Sequence, residues 1–500
     1  MQNLTAQLAF HARVRPGAEA LVYDGTRLSW AELEGRVQRL AGGLRARGIG
    51  PDSIVALVMK NSAAFIELLY AISHLGAVAL PVNFRLSAEE VDYIAGHAGV
   101  DLVLGDAEFG PALQPLRQPV ILLDAAAQAD PGQLLGGDPV ARPQPRAGGD
   151  LMRLMYTSGT TDRPKGVTHS YDNFHYKNMD MILSLQLSAQ DRLCMVGPLY
   201  HVGACDLPGM AVHAVGGTLV VLRDYDPARV VETIAAEKIT GIWLAPVMTS
   251  GLLGLARDSL PDLSSLKWCI AGGERTPESR IRDFGTVFPA ARYVDAYGMT
   301  ETVSGDTLME PGREIDKIGS VGRPVSMVEL EIRDDSGAAL PPGAAGEICM
   351  RGPKVTRGYW RDPERTRAAM FADGFLRSGD VGYLDADGFL FLTDRKKDMI
   401  ISGGENIASS ELERVIHLMP EVEDVAVIAR PDDKWGEVPL AVIVPRAGAT
   451  LDLEALVGFC RGHLAGFKCP KALRLVDALP RNPSGKILKR VLRDEVLSDG

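Results

Sequence analysis

The chain has 500 residues, of which 46% are hydrophobic and 23% are charged, a composition that excludes a small binding module, wholesale disorder and a fibrous repeat. Lysine and arginine together number 53 against 64 aspartates and glutamates, so the net charge is -11. This sign argues against a protein that binds nucleic acid over a broad surface, and any polyanionic ligand must meet a local cluster of cations.

The six cysteines stand at positions 194, 205, 269, 349, 460 and 469, with no CxxC pair and no regular spacing. This pattern predicts reduced thiols rather than a disulfide framework or a zinc ribbon. The segment MQNLTAQLAF lacks the positive region of a signal peptide, and no apolar run has the length needed to span a bilayer. We therefore expect a cytoplasmic protein without a transmembrane segment, and the sequence leaves a homodimer open.

Strands and helices alternate through the first part of the chain. Ser29-Trp-Ala-Glu32 has the spacing of a capping box and opens a helical pattern, which ends before an apolar run at 54–59. A helix after Asn61, an apolar run at 78–82, a second capping box at Ser87-Ala-Glu-Glu90 and a strand at 101–105 follow. This alternation predicts an α/β fold with parallel or mixed sheets flanked by helices.

A segment rich in Pro and Gly at 131–149 interrupts the alternation and is predicted to be a surface connection. The pattern then resumes. Four more strands are predicted, at 218–222, 241–244, 268–271 and 292–295.

The pattern changes after about residue 318. Residues 318–395 are dense in Gly and Asp turns between short apolar runs, which indicates a β-rich subdomain of antiparallel strands. We therefore expect an N-terminal domain at 1–395, a boundary at 396–398 and a small α+β C-terminal domain at 399–500. Its predicted elements are helices at 409–417 and 453–464, a strand at 425–428 and a strand pair around Trp435.

A polar loop follows the apolar run at 151–155. Its sequence, Tyr156-Thr-Ser-Gly-Thr-Thr-Asp-Arg-Pro-Lys-Gly166, offers hydroxyls and backbone N–H groups that can cradle phosphate oxygens, and Lys165 adds a positive charge. The spacing nearly matches a Walker A loop, but Pro164 and Gly166 replace its second glycine and its magnesium-binding Ser or Thr. A P-loop kinase or GTPase is therefore disfavoured, and on this loop alone a flexible polar turn stays an alternative.

Five further motifs follow in order, and together with this loop they resemble the adenylate-forming superfamily. They are Tyr297-Gly-Met-Thr-Glu301, Ser378-Gly-Asp380, Asp394-Arg-Lys-Lys-Asp398, Gly403-Gly-Glu-Asn406 and Pro483-Ser-Gly-Lys486. Within the superfamily the chain is similar to acyl-CoA and aryl-CoA synthetases. The resemblance implies that a carboxylate attacks the α-phosphate of ATP to give an acyl-adenylate and pyrophosphate, and that the thiol of CoA then displaces AMP. It also implies ATP, Mg²⁺ and CoA as cofactors.

The resemblance implies roles for individual residues in the ATP site. The loop from Thr157 to Lys165 would hold the β- and γ-phosphates, Tyr297 would stack on adenine, Thr300 would contact the α-phosphate and Glu301 would bind Mg²⁺. Asp380 and Arg395 would bind the ribose. The other nucleotide-binding residues that it implies are Ser158, Gly159, Thr160, Thr161, Gly273, Glu274, Asp295, Ala296, Gly298 and Met299.

The resemblance further implies that the C-terminal domain is mobile and rotates about a hinge at Lys397 between the two half-reactions. Lys486 would bridge the carboxylate and the α-phosphate during adenylation. Rotation would then replace it by Gly403 and Gly404, whose lack of side chains suits a narrow tunnel for pantetheine. The residues implied for the CoA nucleotide are Arg85, Trp435, Phe467 and Lys471.

The acid pocket of the family corresponds here to the space between Pro198-Leu-Tyr-His201 and Tyr297 to Glu301. Small and apolar residues without a cation indicate a hydrophobic monocarboxylate, fatty or aromatic. His201 by itself is equally consistent with a structural histidine. The implied lining residues are His201, Val202, Gly203, Gly272, Gly273, Met299 and Val303.

Two residues depart from the family's pattern. Asp162 stands in the loop where glycine is usual, and a carboxylate there repels ATP unless it points outward or pairs with Arg163. Cys469 stands where a relative uses arginine, which leaves one contact to a CoA phosphate open.

Other functions share these motifs. An adenylating enzyme that loads a carrier protein has the same fold, although Arg85 and Trp435 favour CoA. An oxygenase of the luciferase kind is a further alternative. A non-catalytic nucleotide-binding scaffold is disfavoured because it does not need the full set of Lys165, Glu301, Asp380, Arg395 and Lys486.

Overall fold

The computed structural model describes residues 3–124, 132–157, 164–255, 260–273, 276, 278–395, 398–402, 405–432, 434–481 and 487–498, with the backbone alone at 133, 395, 406 and 496–498. Contacts divide the chain into two compact units, Met1–Glu329 with Met350–Leu376, and Leu330–Cys349 with Arg377–Gly500. The β-rich segment thus contributes to both units. The domain boundary at 396–398 stays a prediction.

The elements of the first unit alternate between strands and helices. Its strands are β1 Glu19–Tyr23, β2 Thr26–Ser29, β3 Ile54–Val58, β4 Val78–Pro81, β5 Leu102–Asp106, β6 Val120–Leu123, β7 Leu151–Thr157, β8 Lys165–Ser170, β9 Arg192–Met195, β10 Thr218–Val221, β11 Gly241–Leu244, β12 Trp268–Ala271, β13 Arg292–Tyr297, β14 Thr307–Leu308 and β15 Arg323–Pro324. Its helices are α1 Leu4–Val14, α2 Trp30–Arg45, α3 Ala63–His74, α4 Ala88–Ala98, α5 Gly110–Leu113, α6 Tyr171–Leu185, α7 Val202–Asp206, α8 Gly209–Ala214, α9 Pro227–Glu237, α10 Pro246–Leu253, α11 Glu278–Val287 and α12 Pro363–Ala368.

Two sheets organise these elements. The first has the strand order β15-β14-β13-β12-β11-β9-β10-β1-β2, and the second has the order β6-β5-β3-β4-β7-β8. Neighbouring central strands run parallel, as in β11 with β12 and β12 with β13. Antiparallel pairs occur toward the sheet edges, as in β1 with β2 and β7 with β8. The predicted α/β class with parallel and mixed sheets is confirmed.

Local sequence signals account for several helix starts. The Ser29 hydroxyl accepts from the Glu32 N–H while the Glu32 carboxylate accepts from the Ser29 N–H at 2.8 Å, so both halves of the predicted capping box form. Ser87 and Glu90 form the same reciprocal pair at the start of α4. Each cap satisfies backbone donors that the first turn leaves open.

Hydrophobic burial places the core of the first unit around its parallel strands. All twelve residues of α3 are buried, and most of them are apolar. The apolar run that begins within α3 continues into β4, whose four residues are also buried. Across the part of the chain that the structure describes, no helix combines the length and hydropathy needed to cross a membrane.

The second unit contains two further sheets, with orders β16-β17-β18-β19 and β21-β20-β23-β22, the latter extended by β24 beside β23. Strands β18 and β19 pair antiparallel, in agreement with the predicted β-rich subdomain. The strands are β16 Glu329–Arg333, β17 Gly346–Arg351, β18 Leu376–Leu384, β19 Leu390–Arg395, β20 Ile400–Ser402, β21 Glu405–Ile407, β22 Val422–Asp432, β23 Gly436–Pro445 and β24 Ala472–Leu475, and the helices are α13 Ser409–Ile416, α14 Leu453–Arg461 and α15 Lys489–Ser498.

The strand pair predicted around Trp435 is the long antiparallel hairpin of β22 and β23. Helix α14 ends at Arg461, three residues before the predicted end, because Gly462 caps it. A core of apolar side chains from α13, α14 and both hairpin strands fills the space on one face of this sheet, including Leu412, Ile416 and Leu456.

All six cysteines are buried and unpaired, as the sequence predicts. Burial raises the pKa of the Cys194 thiol to about 12 and that of Cys460 to about 11. Cys469 lies within the apolar core of the second unit, and its thiol is 3.8 Å from the Ala465 carbonyl. It is therefore a core residue at the position where a relative uses arginine.

Candidate active site

The carboxyl ends of three adjacent parallel strands bring several predicted residues to one sheet edge. Gly272 and Gly273 follow β12, and Gly298 to Glu301 follow β13, its parallel neighbour. Trp243 lies near the end of β11, on the other side of β12. Ligands of parallel α/β sheets bind outside these strand ends, so this edge is the candidate active site.

The chain makes a tight reversal immediately after β13. Val303, Ser304 and Gly305 have φ values of 56°, 67° and 67°, three consecutive residues in the left-handed region that non-glycine residues rarely adopt. A Cβ on Gly298 would lie 2.4 Å from the Gly305 nitrogen, so only glycine fits where the two segments cross. The 3-10 turn Thr300–Thr302 is held inside this reversal.

Glu301, Lys165 and Tyr359 meet in a triangle of polar contacts. The Lys165 ammonium lies 2.9 Å from the Glu301 carboxylate and donates to the Tyr359 hydroxyl at 2.7 Å, and that hydroxyl donates to Glu301 Oε1 at 2.9 Å. Glu301 is 4% exposed, and Lys165 also lies over the Tyr359 ring. Burial and the neighbouring Glu301 raise the pKa of Tyr359, so it remains a neutral donor.

This triangle unites two residues that the sequence predicts with one that sequence reasoning missed. Tyr359 bridges to Val167 of β8, which fixes it beside Lys165 across 194 residues of chain. Its sequence signal, an aromatic pair with Trp360, does not indicate what the hydroxyl contacts. The arrangement holds one cation and one carboxylate in reach of a common ligand.

The carboxylate chemistry of Glu301 fits a magnesium ion that is shared with phosphate groups. Mg²⁺ prefers oxygen ligands and usually takes one or two protein carboxylates together with substrate phosphates. Across the described residues no group of three or more His, Cys, Asp or Glu side chains could form a closed metal cage. A single buried carboxylate beside Lys165 is a donor set that a nucleotide-bound magnesium could use.

A buried cluster of charged side chains and His169 holds the Thr300 carbonyl. The His169 ring nitrogen Nε2 donates to the Thr300 carbonyl at 2.7 Å, and Nδ1 of the same ring accepts from the Arg153 guanidinium. Arg153 in turn pairs with Asp206 at 3.0 Å, and Lys177 donates to the Asp206 carbonyl. Burial and then Arg153 lower the pKa of His169 to about 3, so the ring is neutral.

Lys354 supports the left-handed reversal itself. Its ammonium donates to the carbonyls of Ser304 at 3.0 Å and Gly305 at 2.6 Å, and its side chain is fully buried. Asp306 lies 3.2 Å away and Asp180 lies 3.8 Å away. Sequence reasoning missed this lysine because it lies 50 and 49 residues from the two carbonyls to which it donates.

Three of the residues predicted for the acid pocket, His201, Val202 and Gly203, lie at the start of a short helix. His201 caps α7, since its Nδ1 accepts from the Gly203 N–H at 3.1 Å, and its ring lies 6.4 Å from the Trp243 ring. Val202 and Val303 are buried at 2% and 0% exposure, whereas Met299 is half-buried.

The residues of β13 that are predicted to bind the nucleotide lie in or at the end of that strand, and the predicted phosphate loop is described at its two ends. Asp295, Ala296 and Tyr297 are buried in or at the end of β13. Thr157 ends β7, and its hydroxyl has no hydrogen-bond partner among the described residues. Several predicted residues lie outside the described residues: Ser158, Gly159, Thr160, Thr161, Glu274, Lys397, Gly403, Gly404 and Lys486.

Asp380 lies in the second unit, in β18. Its backbone pairs in register with Arg395 of β19, and its N–H donates to the Ser378 hydroxyl at 3.0 Å. The two residues predicted for the ribose therefore stand opposite each other on neighbouring strands.

The residues predicted for the CoA nucleotide are all exposed. Arg85 lies over the Phe84 ring at 5.5 Å in the first unit. In the second unit, Trp435 and Phe467 are each 47% exposed, and Lys471 is also exposed. Half-exposed aromatic rings are available for stacking, which a core position would not allow.

Ser409 is a further polar residue that sequence reasoning passed over. Its hydroxyl donates to Asp394 at 2.7 Å and accepts from Lys489 at 2.7 Å. It thereby connects the end of β19 to the last helix within the second unit.

Comparisons with known proteins show the family to which the chain belongs. The family model of the AMP-binding enzyme matches residues 8–360, and that of the AMP-binding enzyme C-terminal domain matches residues 411–486. A feruloyl-CoA synthase of Amycolatopsis sp is 38% identical over 98% of this chain and 99% of its own. The long-chain-fatty-acid–CoA ligase FadD13 of Mycobacterium tuberculosis is 35% identical over 99% of each.

A solved structure is similar over nearly the whole chain. It is the o-succinylbenzoate CoA synthetase (MenE) from Bacillus subtilis in complex with the acyl-adenylate intermediate OSB-AMP, which matches with a TM-score of 0.88 and 30% identity over 98% of each chain. Matches of this extent show the family. The chain therefore belongs to the AMP-binding enzymes, as an adenylate-forming acyl-CoA or aryl-CoA synthetase.

Proposed function

We propose that the protein is an ATP-dependent acid:CoA ligase that converts a hydrophobic monocarboxylate, fatty or aromatic, into its CoA thioester through an acyl-adenylate. The observation that carries this proposal is the contact triangle of Lys165, Glu301 and Tyr359 beside Thr300, at the carboxyl ends of the parallel strands. It provides a cation for phosphate oxygens and a carboxylate for a phosphate-bound cation. The relatives that match over the whole chain act on both aromatic and fatty acids.

In the first half-reaction the protein's task is positioning and charge stabilisation. The acid carboxylate attacks the α-phosphorus, the bond to the β-phosphate oxygen breaks, and pyrophosphate leaves with the electron pair. Lys165 would stabilise the leaving phosphates, and Thr300, whose carbonyl is held by His169, would contact the α-phosphate. Mg²⁺ bound by Glu301 would supply Lewis-acid polarisation of the phosphates.

Glu301 would exchange partners when the nucleotide binds. In the structure its carboxylate accepts from both Lys165 and Tyr359. Binding of Mg²⁺ and triphosphate would draw Lys165 toward phosphate and leave Tyr359 to orient the carboxylate. This exchange avoids a buried carboxylate without a partner at any stage.

In the second half-reaction the CoA thiolate attacks the acyl carbonyl, and AMP leaves. We propose that the C-terminal domain rotates about Lys397, so that Lys486 acts in adenylation and the Gly403-Gly404 segment admits pantetheine afterwards. Arg85, Trp435, Phe467 and Lys471 would bind the CoA nucleotide. We further propose that Asp380 and Arg395 hold the ribose. The enzyme would be cytoplasmic. Sedimentation would test the homodimer that the sequence leaves open.

The decisive experiment measures ATP-dependent pyrophosphate release with benzoates, cinnamates and fatty acids, with and without CoA. We expect acid-dependent release together with formation of the CoA thioester. Adenylate formation with transfer only to a carrier protein would favour the carrier-loading alternative. No release with any acid would contradict the proposed function and favour a nucleotide-binding scaffold.

The two-conformation mechanism has its own test. Lys486→Ala should block adenylate formation and spare thioester formation from supplied acyl-adenylate, because Lys486 acts in the first half-reaction alone. Arg446→Ala, which removes an exposed cation of the same unit just after β23, serves as the matched control. Equal loss of both half-reactions in Lys486→Ala would contradict domain rotation.

A further inference from the structure

Trp243 lies at the sheet edge that forms the candidate active site. It is the third residue of β11, so its side chain lies near the carboxyl end of that strand, where its neighbour β12 leads into Gly272. A Cβ on Gly203 would approach the indole to 2.7 Å, and a Cβ on Gly197 would approach it to 2.6 Å. Gly197 and Gly203 therefore leave the space that this indole occupies, beside the helix that His201 caps.

The contacts of the two glycines orient the ring. Gly197 faces Cζ3 and Cε3 of the six-membered ring, whereas Gly203 faces Cζ2 and Cε2. Because Cε2 is bonded to Nε1, the N–H edge of the indole lies on the side of Gly203. That is the side of the residues predicted to line the acid pocket.

The indole N–H of Trp243 has no partner among the described residues, although the residue is only 7% exposed. A buried donor without an acceptor is destabilising, and buried polar groups in proteins nearly always find one. At a substrate pocket, an oxygen of the substrate can provide the missing acceptor.

An unpartnered indole does not by itself indicate a ligand. Trp30 also has an N–H without a partner among the described residues, but its ring packs between His11 and His213, each with its centroid 4.8 Å away, in the core. The position at the strand ends beside Gly203 distinguishes Trp243. Trp30 therefore supplies a matched control.

We propose that the Trp243 N–H donates a hydrogen bond to an oxygen on the side chain of the bound acid, and that the enzyme thereby selects oxygen-substituted aryl acids over their unsubstituted counterparts. This proposal rests on the proposed function. An aryl ring is favoured over an alkyl chain because aromatic rings pack well against an indole. An acid without an oxygen leaves the donor buried and unpaired.

The first experiment uses the unaltered enzyme, so that folding does not enter. Acid-dependent pyrophosphate release is compared for para-methoxycinnamate and para-ethylcinnamate, which have similar shapes and differ in the acceptor oxygen. We expect kcat/KM to be about tenfold higher for the methoxy compound, equivalent to 1.4 kcal/mol. Equal values would overturn the proposal.

The second experiment assigns the preference to Trp243. Trp243→Phe should reduce the methoxy-to-ethyl ratio about tenfold while kcat/KM for the ethyl compound changes little, and Trp30→Phe should leave the ratio unchanged. A ratio that survives in Trp243→Phe, or one that falls equally in Trp30→Phe, would overturn the assignment. Thermal melts of both variants check that they are folded.

Two further comparisons separate the outcomes. If ω-hydroxydodecanoate is preferred to dodecanoate and both are preferred to the cinnamates, the aryl part of the proposal is wrong. If fatty and aryl acids all give thioesters without any preference for oxygen, the selection by Trp243 is wrong and the proposed function stands. If no acid gives pyrophosphate, both are wrong.

Discussion

Replacing Lys354 by methionine should strongly destabilise the first unit. The change keeps most of the side-chain volume and removes a fully buried charge. It leaves Asp306 and Asp180, both also fully buried, without the cation that lies 3.2 Å and 3.8 Å from them. It also removes the donor to the carbonyls of Ser304 and Gly305 in the left-handed reversal.

The magnitude follows from the cost of an uncompensated buried charge. Removing one partner of a buried ion pair costs about 3–5 kcal/mol in unfolding free energy, compared with about 0–1 kcal/mol for an exposed pair. Lys267→Met is the matched control, because Lys267 is 59% exposed and its partner Asp191 lies 3.4 Å away. We therefore expect a difference of at least about 2 kcal/mol between the two variants.

The assay is urea unfolding followed by circular dichroism, with pyrophosphate release as a second measurement. Burial raises the pKa of Asp306 and of Asp180, and Lys354 opposes this shift. In Lys354→Met both carboxyls should therefore take up protons more readily in the folded state. The loss of stability should then shrink as the pH falls from about 8 to about 5, because protonation removes the uncompensated charge.

The refuting result is specific. If Lys354→Met loses no more stability than Lys267→Met, the ammonium does not support the reversal. A loss that stays constant over the same pH range would show that lost packing, rather than uncompensated charge, causes the destabilisation.

Three other predictions concern the active site and its support. Glu301→Gln should lower the single-turnover rate of pyrophosphate release at saturating Mg²⁺ by about 100-fold, and an unchanged rate would remove Glu301 from the chemistry. His169, with its pKa of about 3, is neutral in the folded protein and gains a proton on unfolding below about pH 6.5. Its contribution to stability is therefore fully present above that pH. Below it, the free energy of unfolding falls by up to about 1.4 kcal/mol per pH unit. His169→Gln should therefore lose stability less steeply than the unaltered protein between about pH 6.5 and 4.5 in urea titrations, and parallel curves would contradict this. Asp162→Gly should keep or lower the KM for ATP, because a carboxylate in a phosphate loop repels the nucleotide, and a clear rise would refute that reasoning.

The fold was predictable from the sequence wherever the signal is local. The capping boxes at Ser29 and Ser87 each depend on residues three positions apart, so a short stretch of sequence determines them. The parallel strands were predictable because burial on both faces makes them short continuous apolar runs. Strand β13 continues two residues past its predicted end, since Ala296 and Tyr297 pair with the short strand β14.

The supporting residues of the site could not be predicted in this way. Tyr359 reaches Glu301 across 58 residues, and Lys354 reaches Ser304 across 50, so each contact depends on how distant segments pack. The motif residues were recognised through a resemblance, and nothing in their local sequence distinguishes Glu301 from a solvated acid. Long-range packing thus determines which polar residues meet.

The burial of all six cysteines has a practical consequence for enzymology. A chromogenic thiol reagent reacts with accessible thiolates, so a buried thiol is almost inert toward it. Added to the folded enzyme, such a reagent would therefore respond to the free thiol of CoA with little background. Thioester formation could then be followed as a loss of the colour that free CoA produces. The same six thiols would become reactive on denaturation, and the extent of their reaction with the reagent would measure the fraction of unfolded molecules in the same cuvette.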